Sequence, residues 1–168
     1  MVVILSLTMG WASTARAEVL MKGAFPEFAL RDLDGHTVRL RGALGKGPVL
    51  IDFWATWCKE CRLSIPRWEA LARRHPRLTV LLIATDDSTT VARVRPMIVR
   101  EGWTSTVLFD TDGALQRTIE LYNLPETYLL DARGQIVLFN LGYEAGDERE
   151  VEARVNELMR ADSGASPH

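Results

Sequence analysis

A chain of 168 residues is long enough for one domain with a sizeable core and too short for two full domains. With 47% apolar and 25% charged residues, it has the balance of a folded globular domain and not that of a disordered chain. The formal net charge is −2 and no basic patch is interleaved with aromatic residues, so composition gives no sign of a nucleic-acid partner.

The first seventeen residues differ from the rest of the chain. Residues 1–14 (MVVILSLTMGWAST) carry no charge, and residues 15–17 (ARA) form a small-x-small triplet of the kind that signal peptidase cleaves. The apolar run of about 13 residues is shorter than the ~20 that span a bilayer as a helix. We therefore predict a signal peptide over 1–17, export to the periplasm or beyond, and no stable membrane span after cleavage. No Lys or Arg follows Met1, which is atypical of such signals, and a buried N-terminal helix is the alternative.

Strand and helix patterns alternate along the remaining chain. Runs of β-branched and aromatic residues predict buried strands, and apolar residues at helical spacing predict helices. This pattern favours one α/β domain over 18–160, a three-layer sandwich with a mixed sheet, followed by a small polar tail, 161–168, predicted to be disordered. The predicted elements are a hairpin (25–30 and 37–40), a strand (49–54), a helix (58–75), a strand (78–84), a helix (89–101), a strand (106–109), a helix (112–122), a strand pair (127–130 and 135–140) and a helix from 146.

Both cysteines of the chain, Cys58 and Cys61, lie in the segment TWCKECR, just after the strand 49–54. The predicted helix starts at Cys58, where free main-chain amides and the helix dipole favour a thiolate and hold its sulfur at the surface. Cys61 lies one helical turn further along, on the same face and deeper, where it can resolve a mixed disulfide formed at Cys58. We therefore predict that Cys58 is the nucleophile and Cys61 the resolving thiol.

Two other uses of the cysteine pair fit the sequence less well. A disulfide across so short a loop stabilises by roughly 2 kcal/mol in the loop-entropy model, against about 4.7 kcal/mol for a 100-residue loop. A structural zinc site needs two further ligands, and the three histidines (His36, His75 and His168) show no paired spacing. Redox chemistry is the favoured interpretation, without a metal or another cofactor.

Asp52 lies inside the apolar strand VLIDFW, where an acid is rare unless it is paired or functional. Burial should raise its pKa, so that it can accept the proton of Cys61 when that thiol attacks a mixed disulfide. The alternative is an acid on an exposed face of the strand.

Three residues next to the cysteines bear on substrate and direction. Trp57 is predicted to form a flat contact surface beside the site. Lys59 and Glu60 have opposite charges, each worth on the order of 1 kcal/mol to a thiolate at Cys58. Because these effects oppose each other, the spacer does not indicate whether the pair reduces or oxidises its partners.

The segment 53–62 (FWATWCKECR) resembles the active-site segment of the thioredoxin superfamily, and specifically that of the TlpA/ResA/CcmG-like thiol-disulfide oxidoreductases. The resemblance covers roughly 24–159. It implies a thioredoxin-like three-layer sandwich with a mixed central sheet, an N-terminal β-hairpin extension and an inserted βα unit. The further similar segments are 25–28 with 32–35 (the hairpin), 89–122 (the inserted unit) and 124–131, LPETYLLD (the cis-proline loop and the strand after it).

The resemblance also implies roles for residues outside the motif. It implies that the Leu124–Pro125 bond is cis and that the main chain of Leu124 pairs with an extended substrate segment as an added strand. It places Asp52 beneath Cys61, like the buried acid of thioredoxin, whereas many TlpA-like relatives carry Asn there. The implied partners are extracytoplasmic thiol or disulfide proteins, such as apocytochrome c, and a membrane thiol reductase as electron donor.

The prediction is thus an exported protein-disulfide oxidoreductase that reduces its partners through a Cys58–Cys61 cycle. One alternative is a thiol peroxidase, whose fold begins with a similar hairpin; Thr56 is two residues before Cys58, however, where those enzymes have Thr-x-x-Cys. The other is a copper chaperone, since two soft thiolates can hold Cu(I), although no His lies near the pair in the sequence.

Overall fold

The computed structural model describes residues 23–164, so the predicted signal peptide, 1–17, lies outside the described residues. Within that part of the chain, seven strands form one mixed sheet in the order β2-β1-β5-β4-β3-β6-β7. The neighbours β3, β4 and β5 are parallel, and all other neighbouring pairs are antiparallel. The strands are β1 (Ala29–Asp32), β2 (Thr37–Arg39), β3 (Val49–Trp54), β4 (Thr79–Ala84), β5 (Thr106–Phe109), β6 (Glu126–Leu130) and β7 (Ile136–Leu141).

Helices cover both faces of the sheet and complete a three-layer α/β sandwich. On one face, α2, α3 and α5 pack over one core, and on the other face, α1 and α4 pack over a second core together with Phe25 and Phe28. The thioredoxin-like fold is confirmed, including the N-terminal hairpin β1–β2 and the inserted unit that contributes β5. The helices are α1 (Leu40–Ala43), α2 (Cys61–Arg74), α3 (Val94–Glu101, after a 3₁₀ turn at Val91–Arg93), α4 (Ala114–Thr118) and α5 (Asp147–Gly164).

The central strand β3 reads as a continuous apolar run because helices cover both of its faces, and all six of its residues are buried. Side chains alternate along it, so Leu50 and Trp54 point into the core under α2 while Ile51 and Phe53 point into the other core. This alternation decides where the acid in the middle of the strand lies.

Several predicted boundaries differ from the structure. The first hairpin strand, predicted over 25–30, is β1 at Ala29–Asp32, and the helix predicted over 89–101 begins at Val94 after a 3₁₀ turn. Helix α2 begins at Cys61 and not at Cys58, because the Cys58 amide donates to the Ala55 carbonyl (3.0 Å) and closes a turn before the helix. Helix α4 is five residues long and not the predicted 112–122, and the left-handed conformation of Glu120 (φ 56°) ends the helical path. Helix α5 continues to Gly164, so the first part of the segment predicted as a disordered tail is helical.

Candidate active site

Cys58 and Cys61 form a disulfide just beyond the carboxyl end of β3, with an S–S distance of 1.99 Å and a Cα–Cα distance of 5.4 Å. This is the edge of an α/β sheet at which binding sites normally lie. Cys61 is completely buried and Cys58 is only 3% exposed. The predicted order of depth is confirmed, but the expectation of a sulfur held openly at the surface is wrong, because the turn at Ala55–Cys58 folds Cys58 against the core.

The exposed edge of Cys58 borders a groove of about 560 Å³. One wall is the cysteine turn, with Trp57 and Lys59, and the opposite wall is formed by Leu124 and by the segment that follows β7. Trp57 is 65% exposed, so its indole faces solvent at the rim. The groove can therefore admit a polypeptide segment to the one accessible sulfur. Its lining residues are Trp57, Cys58, Lys59, Glu60, Asn123, Leu124, Leu141, Gly142, Tyr143 and Glu144.

The loop across the groove contains the cis peptide bond Leu124–Pro125 that the resemblance implies. The Pro125 carbonyl accepts a hydrogen bond from the Gly142 amide (2.8 Å), which ties the loop to the end of β7. The Leu124 amide and carbonyl have no hydrogen-bond partner among residues 23–164. Two unpaired main-chain groups thus lie at a strand end beside the disulfide.

Glu126 fixes the main chain of this loop through hydrogen bonds, a role that the sequence did not predict. The residue is 3% exposed, and its Oε1 atom accepts hydrogen bonds from the amides of Tyr122 (2.8 Å) and Asn123 (3.4 Å). The Tyr128 hydroxyl donates to the other oxygen, Oε2 (2.9 Å). The only sequence signal was an acid inside the run LPETYLL, the same signal that singled out Asp52.

Asp52 is completely buried, so the alternative of an exposed acid is wrong. By the alternation along β3, its side chain enters the core that contains Cys61 and Trp68. The Thr127 hydroxyl donates to Asp52 Oδ1 (2.6 Å), whereas Oδ2 has no hydrogen-bond partner in the described part of the chain. Burial raises the pKa of Asp52 to about 7, and the side chains of Thr127 and Trp68 oppose this rise without cancelling it. This acid can therefore exchange a proton near neutral pH.

Another buried acid, Asp86, lies just beyond the corresponding end of β4 and was not singled out from the sequence. It is 1% exposed, and both of its carboxylate oxygens bind Thr56: Oδ2 accepts from the Thr56 amide (2.9 Å) and Oδ1 from its hydroxyl (2.6 Å). The loop after β4 is thereby attached to the turn that carries Cys58.

Among residues 23–164, no group of three or more His, Cys, Asp or Glu side chains is arranged to hold a metal ion. None of the helices in that range is both long and apolar enough to cross a bilayer.

A Cys-x-x-Cys disulfide at the end of the central strand of this fold, facing a cis-proline loop, defines a thiol-disulfide oxidoreductase of the thioredoxin superfamily. The protein belongs to the AhpC/TSA family, whose model matches residues 21–139. It is similar to the thiol-disulfide oxidoreductase ResA of Geobacillus kaustophilus, with 30% identity over 123 residues that cover 73% of this chain and 70% of ResA.

Solved structures agree with this assignment. A putative thiol:disulfide interchange protein DsbE from Chlorobium tepidum superposes with a TM-score of 0.75 at 26% identity, covering 82% of this chain and 96% of that one. A secreted Mycobacterium tuberculosis disulfide oxidoreductase, described as homologous to E. coli DsbE, has a TM-score of 0.67 at 25% identity and covers 83% and 98% of the two chains.

Proposed function

We propose that this oxidoreductase is exported and reduces disulfides of extracytoplasmic proteins. The Cys58 thiolate attacks one sulfur of a substrate disulfide, forms a mixed disulfide and expels the other substrate sulfur as a thiolate. Cys61 then loses its proton to Asp52 and attacks the Cys58 sulfur, which releases the second substrate thiol and closes the Cys58–Cys61 disulfide. Two electrons from a membrane thiol reductase return the pair to the dithiol.

The observation that carries the proposal is the unpaired main chain of Leu124 opposite Cys58 in one groove. A substrate segment in extended conformation can pair with the Leu124 amide and carbonyl as an added strand. Such pairing does not depend on substrate side chains, and it presents a cystine in that segment to the exposed edge of Cys58. An open groove with free main-chain groups suits a protein substrate.

Asp52 supports reduction as the direction of the reaction. A base with a pKa of about 7 is well matched to proton transfer from a thiol at neutral pH. When ionised, the carboxylate also disfavours a thiolate at Cys61, since both would be negative charges in one core. The oxidised pair is thereby favoured once the electrons have been passed on.

Export rests on the residues 15–17 cleavage triplet and on the secreted relative from Mycobacterium tuberculosis. The full chain should be expressed in a Gram-negative host, and the intact mass of the protein recovered from the periplasmic fraction should be measured by mass spectrometry. We expect a mature protein that begins at Glu18. A protein found only in the cytoplasm with residues 1–17 attached would contradict export.

The proposed substrate class includes apocytochrome c, whose haem-attachment motif is Cys-x-x-Cys-His. A peptide with this motif in the disulfide form is a direct test. The reduced protein should convert it to the dithiol stoichiometrically, and faster than it reduces the same peptide with D-amino acids around the cystine, which cannot pair as a strand. Equal rates on both peptides would count against recognition through Leu124.

Replacing Trp57 by Ala should weaken the docking of protein substrates, because its exposed indole forms part of the groove rim. We expect kcat/KM for a protein disulfide to fall about tenfold, the scale on which an aromatic contact residue acts at an interface. Reduction of a small disulfide such as bis(2-hydroxyethyl) disulfide, the oxidised form of 2-mercaptoethanol, should change less than twofold. Stopped-flow kinetics with both substrates measure the difference.

The matched control for this variant is Leu63→Ala. Leu63 is 62% exposed and lies two residues after Cys61, but it is not part of the groove lining. Loss of activity in both variants to the same extent, or in neither, would contradict the docking role of Trp57.

The structure gives the thiol peroxidase alternative less support than the sequence did, because the threonine before the cysteines is already engaged. The Thr56 hydroxyl donates to Asp86 Oδ1 at 2.6 Å and is thus engaged in a buried hydrogen bond. Peroxide turnover by the reduced protein that exceeds its rate of disulfide reduction would revive this alternative. No specific observation favours the copper chaperone.

A further inference from the structure

The turn that carries Cys58 is anchored by hydrogen bonds to the loop that follows the neighbouring strand, β4. β3 and β4 run parallel and in register up to the pair Trp54 and Ala84, and the Thr85 amide continues the pairing by donating to the Trp54 carbonyl (2.8 Å). Beyond this point main-chain pairing stops, and the Asp86 side chain takes over by accepting two hydrogen bonds from Thr56.

Thr56 lies at the centre of the turn that positions the sulfur. The Cys58 amide donates to the Ala55 carbonyl (3.0 Å), so Thr56 and Trp57 form the middle of a four-residue turn. The Cys61 amide in turn lies 3.1 Å from Cys58 Sγ and donates to it. A movement of Thr56 would therefore move Cys58 relative to the first amide of α2, which is a donor able to stabilise a thiolate.

We propose that Asp86 is a positioning residue for the nucleophile: through Thr56, its carboxylate fixes the turn Ala55–Cys58 and so sets the reactivity of the Cys58 thiol. The inference rests on the proposed role of Cys58. Asp86 is suited to this role because it is buried and reaches the turn with both carboxylate oxygens. Among the described residues, its side chain forms hydrogen bonds with Thr56 alone and takes part in no ion pair.

Other charged or titratable groups lie near the Cys58 thiol, and the test must distinguish the effect of Asp86 from theirs. Lys59 and Glu60 lie on its own turn, and Glu144 and Tyr143 line the groove from the segment after β7. Arg93 and Arg100 line a shallow pocket beside Thr56 from the α3 side, and Asp52 lies in the core below. None of these side chains bonds to Thr56, so substitution of Asp86 changes the turn without breaking their contacts.

The reactivity of Cys58 can be measured without any partner protein. In a Cys61→Ser background Cys58 is the single thiol of the chain, and its alkylation rate by iodoacetamide against pH gives the midpoint of thiolate formation. Asp86→Asn keeps the size of the side chain and removes the charge and one acceptor. We expect the midpoint to rise by roughly half a unit or more, because the loosened turn no longer holds the Cys58 sulfur against the Cys61 amide, which stabilises its thiolate.

Catalysis supplies the second readout, in the chain with both cysteines. Asp86→Asn should lower kcat/KM for disulfide reduction about tenfold, the size of effect expected when a hydrogen bond to a charged group is lost. Thr56→Val should lower it about threefold and shift the alkylation midpoint in the same direction as Asp86→Asn but by less, and Thr56→Ser, which keeps the hydroxyl, should regain most of the loss. The double variant Asp86→Asn with Thr56→Val should be no slower than Asp86→Asn alone, because Asp86 and Thr56 act through one contact.

Asp87→Asn is the matched control. Asp87 is the next residue and is exposed, and among residues 23–164 its carboxylate binds only Thr89 and Thr90. It should change neither readout. The proposal is overturned if Asp86→Asn leaves both the midpoint and kcat/KM at wild-type values, even if its melting temperature falls, since the acid is then merely structural. If no variant, nor the wild type, reduces a protein disulfide, the proposed function fails and the alkylation midpoint still decides the role of Asp86.

Discussion

Cys58→Ser should abolish disulfide reduction, with kcat/KM at least about 10³-fold below the wild type, because no other group can form the mixed disulfide. The structure makes Cys58 the only one of the two sulfurs that reaches the groove, since Cys61 is completely buried. Activity is measured as the reduction of a Cys-x-x-Cys-His peptide disulfide by the pre-reduced protein.

Cys61→Ser separates the two roles. This variant should attack the substrate at a near normal rate and then stop, because the resolving thiol is missing, so a covalent adduct with the substrate accumulates. Non-reducing gel electrophoresis and intact mass detect it. An adduct on the Cys58→Ser protein instead would reverse the assignment of the two cysteines.

Asp52→Asn should make the oxidised protein more stable at neutral and alkaline pH. The carboxyl group has a pKa of about 7 in the folded protein because burial disfavours its charged form, against 3.8 as its ordinary value. Asn keeps the oxygen that accepts from Thr127 and removes the charge. Urea unfolding of both proteins from about pH 2.5 to pH 8 measures the difference in unfolding free energy across both pKa values.

The sign follows from where each state ionises. Well below the ordinary pKa of 3.8 the carboxyl is neutral in both the folded and the unfolded state, so its raised pKa costs the folded protein no stability there. As the pH rises towards 7 the unfolded chain ionises and the folded protein does not, so wild-type stability declines by about 4 kcal/mol relative to Asp52→Asn and then levels off. A difference that does not vary with pH would contradict the raised pKa.

The site residues that the sequence identified can be recognised from residue type and from their immediate neighbours in the chain. Two cysteines at this spacing after an apolar strand predict a redox pair, and an acid within VLIDFW predicts a buried, perturbed group. The cis state of Leu124–Pro125 came only from the family resemblance, because X-Pro bonds are cis in about 5–6% of cases.

Asp86 and Glu126 were missed because their partners are main-chain amides and hydroxyls. Asp86 follows β4 as a loop residue and sits before a second Asp, which looks like an ordinary polar turn. Its burial arises only when the ends of β3 and β4 meet, thirty positions apart in the chain. A single sequence does not show such long-range hydrogen bonds.

Strand positions were predicted better than helix ends. The predicted β3 (49–54) and β5 (106–109) coincide with the structure, since continuous apolar runs end where the sheet ends. Helix ends depend on a few hydrogen bonds. Cys58 falls outside α2 because its amide is used in a turn, and α5 continues past 160 to a point where Arg77 donates to Asp162 (3.0 Å).

The redox equilibrium of the Cys58–Cys61 pair against glutathione or dithiothreitol tests the central claim most directly. The fraction of oxidised protein is measured by alkylation and mass at defined thiol-to-disulfide ratios. A protein that reduces its partners should have a potential near that of thioredoxin, about −270 mV, and a value near that of DsbA, about −120 mV, would contradict reduction as its function.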